Sequence, residues 1–228
     1  MYPGLHAIAR ANQPAIVMAQ TGETVTYAEL EARSNRLAHL LRSIGLKRLD
    51  HYAIFTENNV RHIECCAAGE RAGLYYTCIN SFLTPAEVAY IVNNSQSQAL
   101  ITSEANRETA LAALPDCPGV KLALIVDAPS ESERVLNLDE ATSGLPTTPI
   151  ADESLGGAML YSSGTTGRPK GVLRPLPQQP PAQPLGLYDF LARLWRFRDG
   201  MTYLSPAPLY HAAPLLPLIL RYAPAEPP

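Results

Sequence analysis

The sequence has no excess of charge of either sign: 18 Lys and Arg stand against 21 Asp and Glu, a formal charge of -3. Nucleic-acid binding needs a basic field to neutralise phosphates, and this balance gives none strong enough to argue for it, so no nucleic-acid partner is expected. No apolar run approaches the ~18 residues of a membrane helix, and no membrane span is predicted. The first ten residues lack a basic segment leading into a long apolar one, which argues against a secretion signal. Cysteine is scarce: Cys65, Cys66, Cys78 and Cys117 form no CxxC pair and no His/Cys grouping at metal-binding spacing along the chain. They are expected to be buried structural thiols of a cytoplasmic protein, and no metal ligand is assigned.

Two nucleotide-binding signatures are also missing. A Walker A loop needs Gly-x4-Gly-Lys-Ser/Thr, but Pro169 precedes Lys170 and Gly171 follows it. The dinucleotide pattern GxGxxG fails because Gly164 and Gly167 lack the preceding glycine.

What is present alternates strand-like and helix-like segments from residue 24 to 126. Thr26-Tyr27-Ala28-Glu29 reads as a capping box, and Leu30, Leu37, Leu41 and Ile44 then share one helical face before Gly45. His51–Phe55 reads as a buried strand, Asn59–Ala72 as a helix stopped by Gly73, and Tyr75–Ile79 as another strand. Thr84-Pro85-Ala86-Glu87 is a second capping box with proline at the first helical position. Strands are predicted at Ala99–Thr102 and Leu122–Val126, with a helix near Arg107–Leu114 between them. This spacing predicts an α/β fold, a mostly parallel sheet with helices on both faces. Residues 127–155 read as a surface connection, and Gly157–Tyr161 as a buried strand. Thirteen of the 21 prolines follow Arg168, so the last 60 residues should be dominated by loops.

The segment Tyr161-Ser162-Ser163-Gly164-Thr165-Thr166-Gly167-Arg168-Pro169-Lys170-Gly171 gathers four hydroxyls, three glycines and a lysine directly after an apolar strand. Glycines let the backbone turn its N–H groups toward an anion, and Ser and Thr hydroxyls add rotatable donors. Lysine adds a compact cation, and only three lysines occur against fifteen arginines. A polyphosphate needs such a set, whereas a plain surface linker does not.

The ordered run resembles the phosphate-binding loop of the adenylate-forming (AMP-binding) superfamily, and matches its Ser/Thr-Ser-Gly-Thr-Thr-Gly-x-Pro-Lys-Gly pattern without a gap. Thr26–Leu30, Cys66–Asn80 with Pro85-x-Glu87, and Ser205-Pro206-Ala207-Pro208-Leu209-Tyr210-His211 are similar to further family segments. Leu49 departs from the pattern, standing where the family usually has glycine before Asp50. The resemblance implies the large N-terminal domain of an acyl-CoA synthetase or fatty-acid–CoA ligase, incomplete at its C-terminal end. Residues 1–155 would form a first subdomain and connector, and 156–228 the phosphate loop and the start of a second. Ser162, Ser163, Thr165, Thr166 and Lys170 would grip the β/γ phosphates of ATP, with Gly164 and Gly167 permitting close approach. His211 would be the catalytic-site residue, a wall between the acyl pocket and the phosphates.

The same resemblance implies ATP, Mg²⁺ and CoA as cofactors and co-substrate, and a small-molecule carboxylic acid as substrate. The sequence holds no Tyr-Gly-x-Thr-Glu and no Tyr-x-Thr-Gly-Asp segment, and no hinge with an adenylation lysine. A truncated ligase, inactive alone, is therefore expected, with self-association through the apolar stretch Ala212–Leu220. A non-catalytic ATP- or pyrophosphate-binding fragment is the alternative.

Overall fold

The computed structural model describes residues 2–162, 168–183, 185–198 and 200–212. After a short helix α1 (Gly4–Arg10), strands β1 (Pro14–Val17) and β2 (Thr24–Thr26) form an antiparallel ribbon that leads into α2 (Tyr27–Ser43). Then follow β3 (His51–Phe55), α3 (Val60–Ala72), β4 (Tyr75–Cys78), α4 (Pro85–Asn94), β5 (Ser97–Ser103), α5 (Arg107–Ala113), β6 (Leu122–Val126), β7 (Val135–Asn137) and α6 (Leu138–Thr142). The described part ends with β8 (Gly157–Ala158), β9 (Leu160–Ser162), β10 (Lys170–Val172) and α7 (Gly186–Leu194).

Six strands pair in the order β7-β6-β5-β3-β4-β8, and every pairing is parallel. Right beside one another, β3 and β5 send their connections to opposite sides of the sheet, which makes the crevice at their carboxyl ends the switch point. One face packs α2 and α3 through Leu30, Leu37, Leu41, Cys66 and Ala67. The other packs α4 and α5 through Val88, Val92, Ala110 and Ala113. The expected sheet with helices on both faces is therefore present.

Local signals explain the ends of these elements. The Glu29 N–H donates to Thr26 Oγ1 at 3.2 Å, and Glu29 Oε2 accepts from the Thr26 N–H at 2.8 Å, closing the box that starts α2. Asn59 Oδ1 accepts from the His62 N–H to start α3, and Gly73, at φ 64°, ends it in the left-handed region. Leu49 also has positive φ, 71°, so the turn usually served by glycine is retained at a cost of about 1 kcal/mol. Its N–H donates to the Gly73 carbonyl at 2.8 Å, and that contact holds the strained turn against the end of α3.

Two expectations need correction. Residues 127–155 are more than a connection, because β7 adds an edge to the sheet and α6 lies against α2. Gly157–Tyr161 is not one buried strand. Only β8 joins the sheet, whereas β9 leaves it to pair with β10, and its side chains are partly exposed. A run of five apolar or small residues hid this, since burial on both faces is a property of neighbours rather than of the run.

The charged core is unusual. Arg71 is fully buried and pairs with Glu31 at 2.6 Å and Glu153 at 3.4 Å. Glu64, on the same helix, lies 3.2 Å from Arg61, yet burial outweighs that cation and pushes its carboxyl up to about 7 from the usual 4.5. A raised acid pKa means that the folded state holds the proton more tightly than the unfolded chain. The associated stability is present below pH 4.5 and is lost as pH rises through about 7. Glu64→Gln is therefore expected to flatten the stability loss between pH 5 and 8, by on the order of 1–2 kcal/mol. Urea melts of both proteins across that range check this; parallel pH profiles would contradict it.

Candidate phosphate-binding site

The run singled out in the sequence closes a hairpin. Antiparallel β9 and β10 pair Lys170 with Ser162, Gly171 with Tyr161 and Val172 with Leu160. The ladder thus sets the first hydroxyl residue and the lysine opposite each other at the two ends of the connection. Ser163, Gly164, Thr165, Thr166 and Gly167 lie outside the described residues.

The root of the hairpin is fastened to α4. Tyr161 Oη donates to Asn94 Oδ1 at 2.6 Å, and Tyr90 Oη donates to the Pro169 carbonyl at 3.2 Å. The Arg168 guanidinium stands 5.2 Å from the centre of the Tyr90 ring, within cation–π range. Burial and the neighbouring Tyr90 push the Tyr161 phenol up to about 12, so it remains a neutral donor at any ordinary pH. Tyr90 and Asn94 are four residues apart and share one face of α4. That spacing was the available signal for these supports, and sequence reasoning missed it because nothing local said what the face would meet.

The strand that delivers the chain is held equally firmly. The N–H groups of Ser154, Gly156, Gly157 and Met159 donate to the carbonyls of Arg71, Glu70, Leu74 and Tyr76 at 2.9–3.1 Å. Gly156 has no room for a side chain, since a Cβ there would overlap the Gly69 carbonyl oxygen and lie 2.7 Å from that of Leu74. Beyond β10, Tyr75 Oη donates to the Arg174 carbonyl and Arg48 Nη2 to the Leu176 carbonyl, both at 2.7 Å.

His211 stands on a different anchor. The Leu209 N–H donates to Asn58 Oδ1 at 2.8 Å, and the Leu209 side chain is buried against the core. Asn58 follows β3, so this segment sits at the carboxyl end of β3, where an α/β sheet binds ligands. His211 itself is exposed; its N–H donates to the Pro208 carbonyl and its ring lies 4.4 Å from that of Tyr210. The structure thus brings Ser162 and Lys170 together and seats the His211 segment at the switch point. Residues 213–228, which include most of the apolar stretch expected to self-associate, lie outside the described residues.

Chemically, the described hairpin root offers hydroxyl, amide and cationic groups in Tyr90, Asn94, Tyr161, Ser162, Arg168 and Lys170. This set suits an anion. It does not suit Mg²⁺, which is held through carboxylates, and none of these six residues carries one. Among the described residues, no helix is long and apolar enough to cross a membrane.

Comparison with known proteins agrees with the geometry. The family described as AMP-binding enzyme matches residues 6–221. The chain is similar to 4-coumarate–CoA ligase CCL1 of Humulus lupulus, 31% identical over 71% of this chain and 30% of that protein. It is likewise similar to the 3-oxocholest-4-en-26-oate–CoA ligase of Rhodococcus rhodochrous, 32% identical over 69% of this chain and 30% of that protein. The match thus spans under a third of these curated relatives. Among solved structures, the N-terminal domain of FACL13 from Mycobacterium tuberculosis superposes with a TM-score of 0.75 at 22% identity. That likeness covers 96% of this chain and 53% of the other, and supports the fold alone. On the match over nearly its whole length, the chain belongs to the AMP-binding enzyme family.

Proposed function

We propose that this chain is the N-terminal part of an acid–CoA ligase that activates a carboxylic acid, a fatty acid in the first instance, with ATP. A carboxylate oxygen attacks the α-phosphorus and pyrophosphate leaves, giving an acyl-adenylate. The CoA thiol then attacks the acyl carbon and AMP leaves. Residues 1–155 act as the first subdomain and connector, and 156–228 as the phosphate loop and the beginning of the second. The cytoplasm is the expected location.

The observation that carries this reading is the hairpin that sets Ser162 across from Lys170 around a Ser/Gly/Thr-rich connection. Lys170 would meet the β/γ phosphates as a point cation. Ser162, Ser163, Thr165 and Thr166 would donate hydroxyls, and Gly164 and Gly167 would let backbone N–H groups approach. His211 would line the boundary with the acyl pocket, beside Leu209 and Tyr210. Mg²⁺ would require a carboxylate from outside the hairpin root, so no step is assigned to it here.

The test is carboxylate-dependent exchange of pyrophosphate into ATP, run on the 228-residue chain and on a ligase completed with the missing segments. The completed enzyme should exchange with a panel of fatty acids, and the chain alone should bind an ATP analogue without exchange. Failure of the completed enzyme with every acid would overturn the reading. His211→Ala should leave the affinity of the chain for an ATP analogue within about three-fold, as it makes no charged contact with phosphate. In the completed enzyme the same change should depress adenylation. Loss of nucleotide binding in the chain would show that His211 belongs to the phosphate site.

A further inference from the structure

Helix α3 and strand β4 bring together three metal-binding side chains that lie apart in the sequence. His62 and Cys66 are one helical turn apart on α3, and Cys78 is the last residue of β4. One ligand atom from each lies within 4.8 Å of the others, and this is the one such grouping among the described residues. The two sulfurs are 3.8 Å apart. For a tetrahedral ion with bonds to sulfur of about 2.3 Å, the sulfurs would be about 3.8 Å apart, so the pair needs almost no movement.

A second observation points to a ligand. His62 is 1% exposed, and its Nε2 is buried with no hydrogen-bond partner among the described residues. Its Nδ1 lies 2.9 Å from Thr56 Oγ1, the arrangement in which an outer hydroxyl fixes the ring and frees the other nitrogen for a metal. A buried ring nitrogen without a partner is destabilising unless something occupies it. Neither the phosphate hairpin nor the His211 segment uses these residues.

We propose that His62, Cys66 and Cys78 form a binding site for a single zinc-class divalent ion, bridging α3 to the end of β4. Charge selects the ion. Two thiolates and a neutral imidazole balance a divalent cation, whereas a monovalent soft ion would leave a net negative charge in the core. Binding releases one proton from each thiol to solvent, and no electron is transferred. All three ligand residues are buried, so a fourth donor would complete the tetrahedron inside the fold. Cys65, the sequence neighbour of Cys66, lies outside the group.

Cobalt(II) reports on such a site without reference to activity. Under reducing, oxygen-free conditions the chain should take up one equivalent of Co(II), with a near-ultraviolet thiolate-to-cobalt band and the visible bands of a tetrahedral ion. One equivalent of Zn(II) should displace it, and about two protons should be released. Cys65→Ala should behave as the unmutated chain does. Cys66→Ala and Cys78→Ala should each lose the thiolate band and weaken Co(II) binding by at least about 100-fold, and Thr56→Val by about 10-fold. Absence of the thiolate band in the unmutated chain overturns the proposal, even if the cysteine variants fail to fold. So does its survival in Cys78→Ala, which would mark surface binding, or its loss in Cys65→Ala.

Discussion

Gly156→Ala is expected to destabilise the chain by about 3 kcal/mol or more, enough to unfold a marginal domain. The glycine sits where the incoming strand crosses the C-terminal half of α3. A Cβ there would meet the carbonyl oxygens of Gly69 and Leu74, which are backbone atoms and cannot swing aside as a side chain tip would. Relief requires the segment 154–159 to lift away from β4. That would break the four hydrogen bonds from Ser154, Gly156, Gly157 and Met159. Because β9 follows immediately, the displacement should also tilt the hairpin and weaken nucleotide binding. Gly186→Ala is the matched control: its φ is unremarkable and nothing lies within 4 Å of the added carbon. Urea unfolding monitored by circular dichroism checks the pair. A Gly156→Ala midpoint within experimental error of Gly186→Ala would show that the close approach is not maintained in solution.

Lys170→Ala is expected to weaken binding of an ATP analogue by about one to two orders of magnitude. The estimate follows from charge-assisted hydrogen bonds, worth roughly 1.5–3 kcal/mol each. Lys170 is exposed and is the first residue of β10, so its cation is open to a ligand. The substitution removes no packing, so the melting temperature should change by no more than a degree or two. Lys170→Arg should restore part of the affinity, because the charge returns in a different geometry. Calorimetric titration of the three proteins decides the matter. Equal affinity for Lys170→Ala and the unmutated chain would remove Lys170 from the phosphate site.

The sequence by itself determined the layered plan and the family. Period and punctuation carried the plan: the Thr26–Glu29 and Thr84–Glu87 boxes, the leucine face of α2 and the stop at Gly73 act within one or two turns of chain. The same holds for the hydroxyl, glycine and lysine run, whose chemistry resides in adjacent residues. Tertiary structure alone decided which face meets which. It moved β9 out of the sheet, made residues 127–155 into an edge strand and helix, and set Tyr90 and Asn94 under the hairpin. It also joined Cys78 to His62 and Cys66 across the interface of α3 and β4, a pairing that no spacing in the sequence announced. No metal grouping was read from the sequence, because His62 and Cys66, four apart on α3, meet Cys78 only through a different element twelve residues further on. Local hydrogen bonds and periodicity are written along the chain, whereas burial and proximity depend on how separate elements pack, and a single element cannot specify its neighbour.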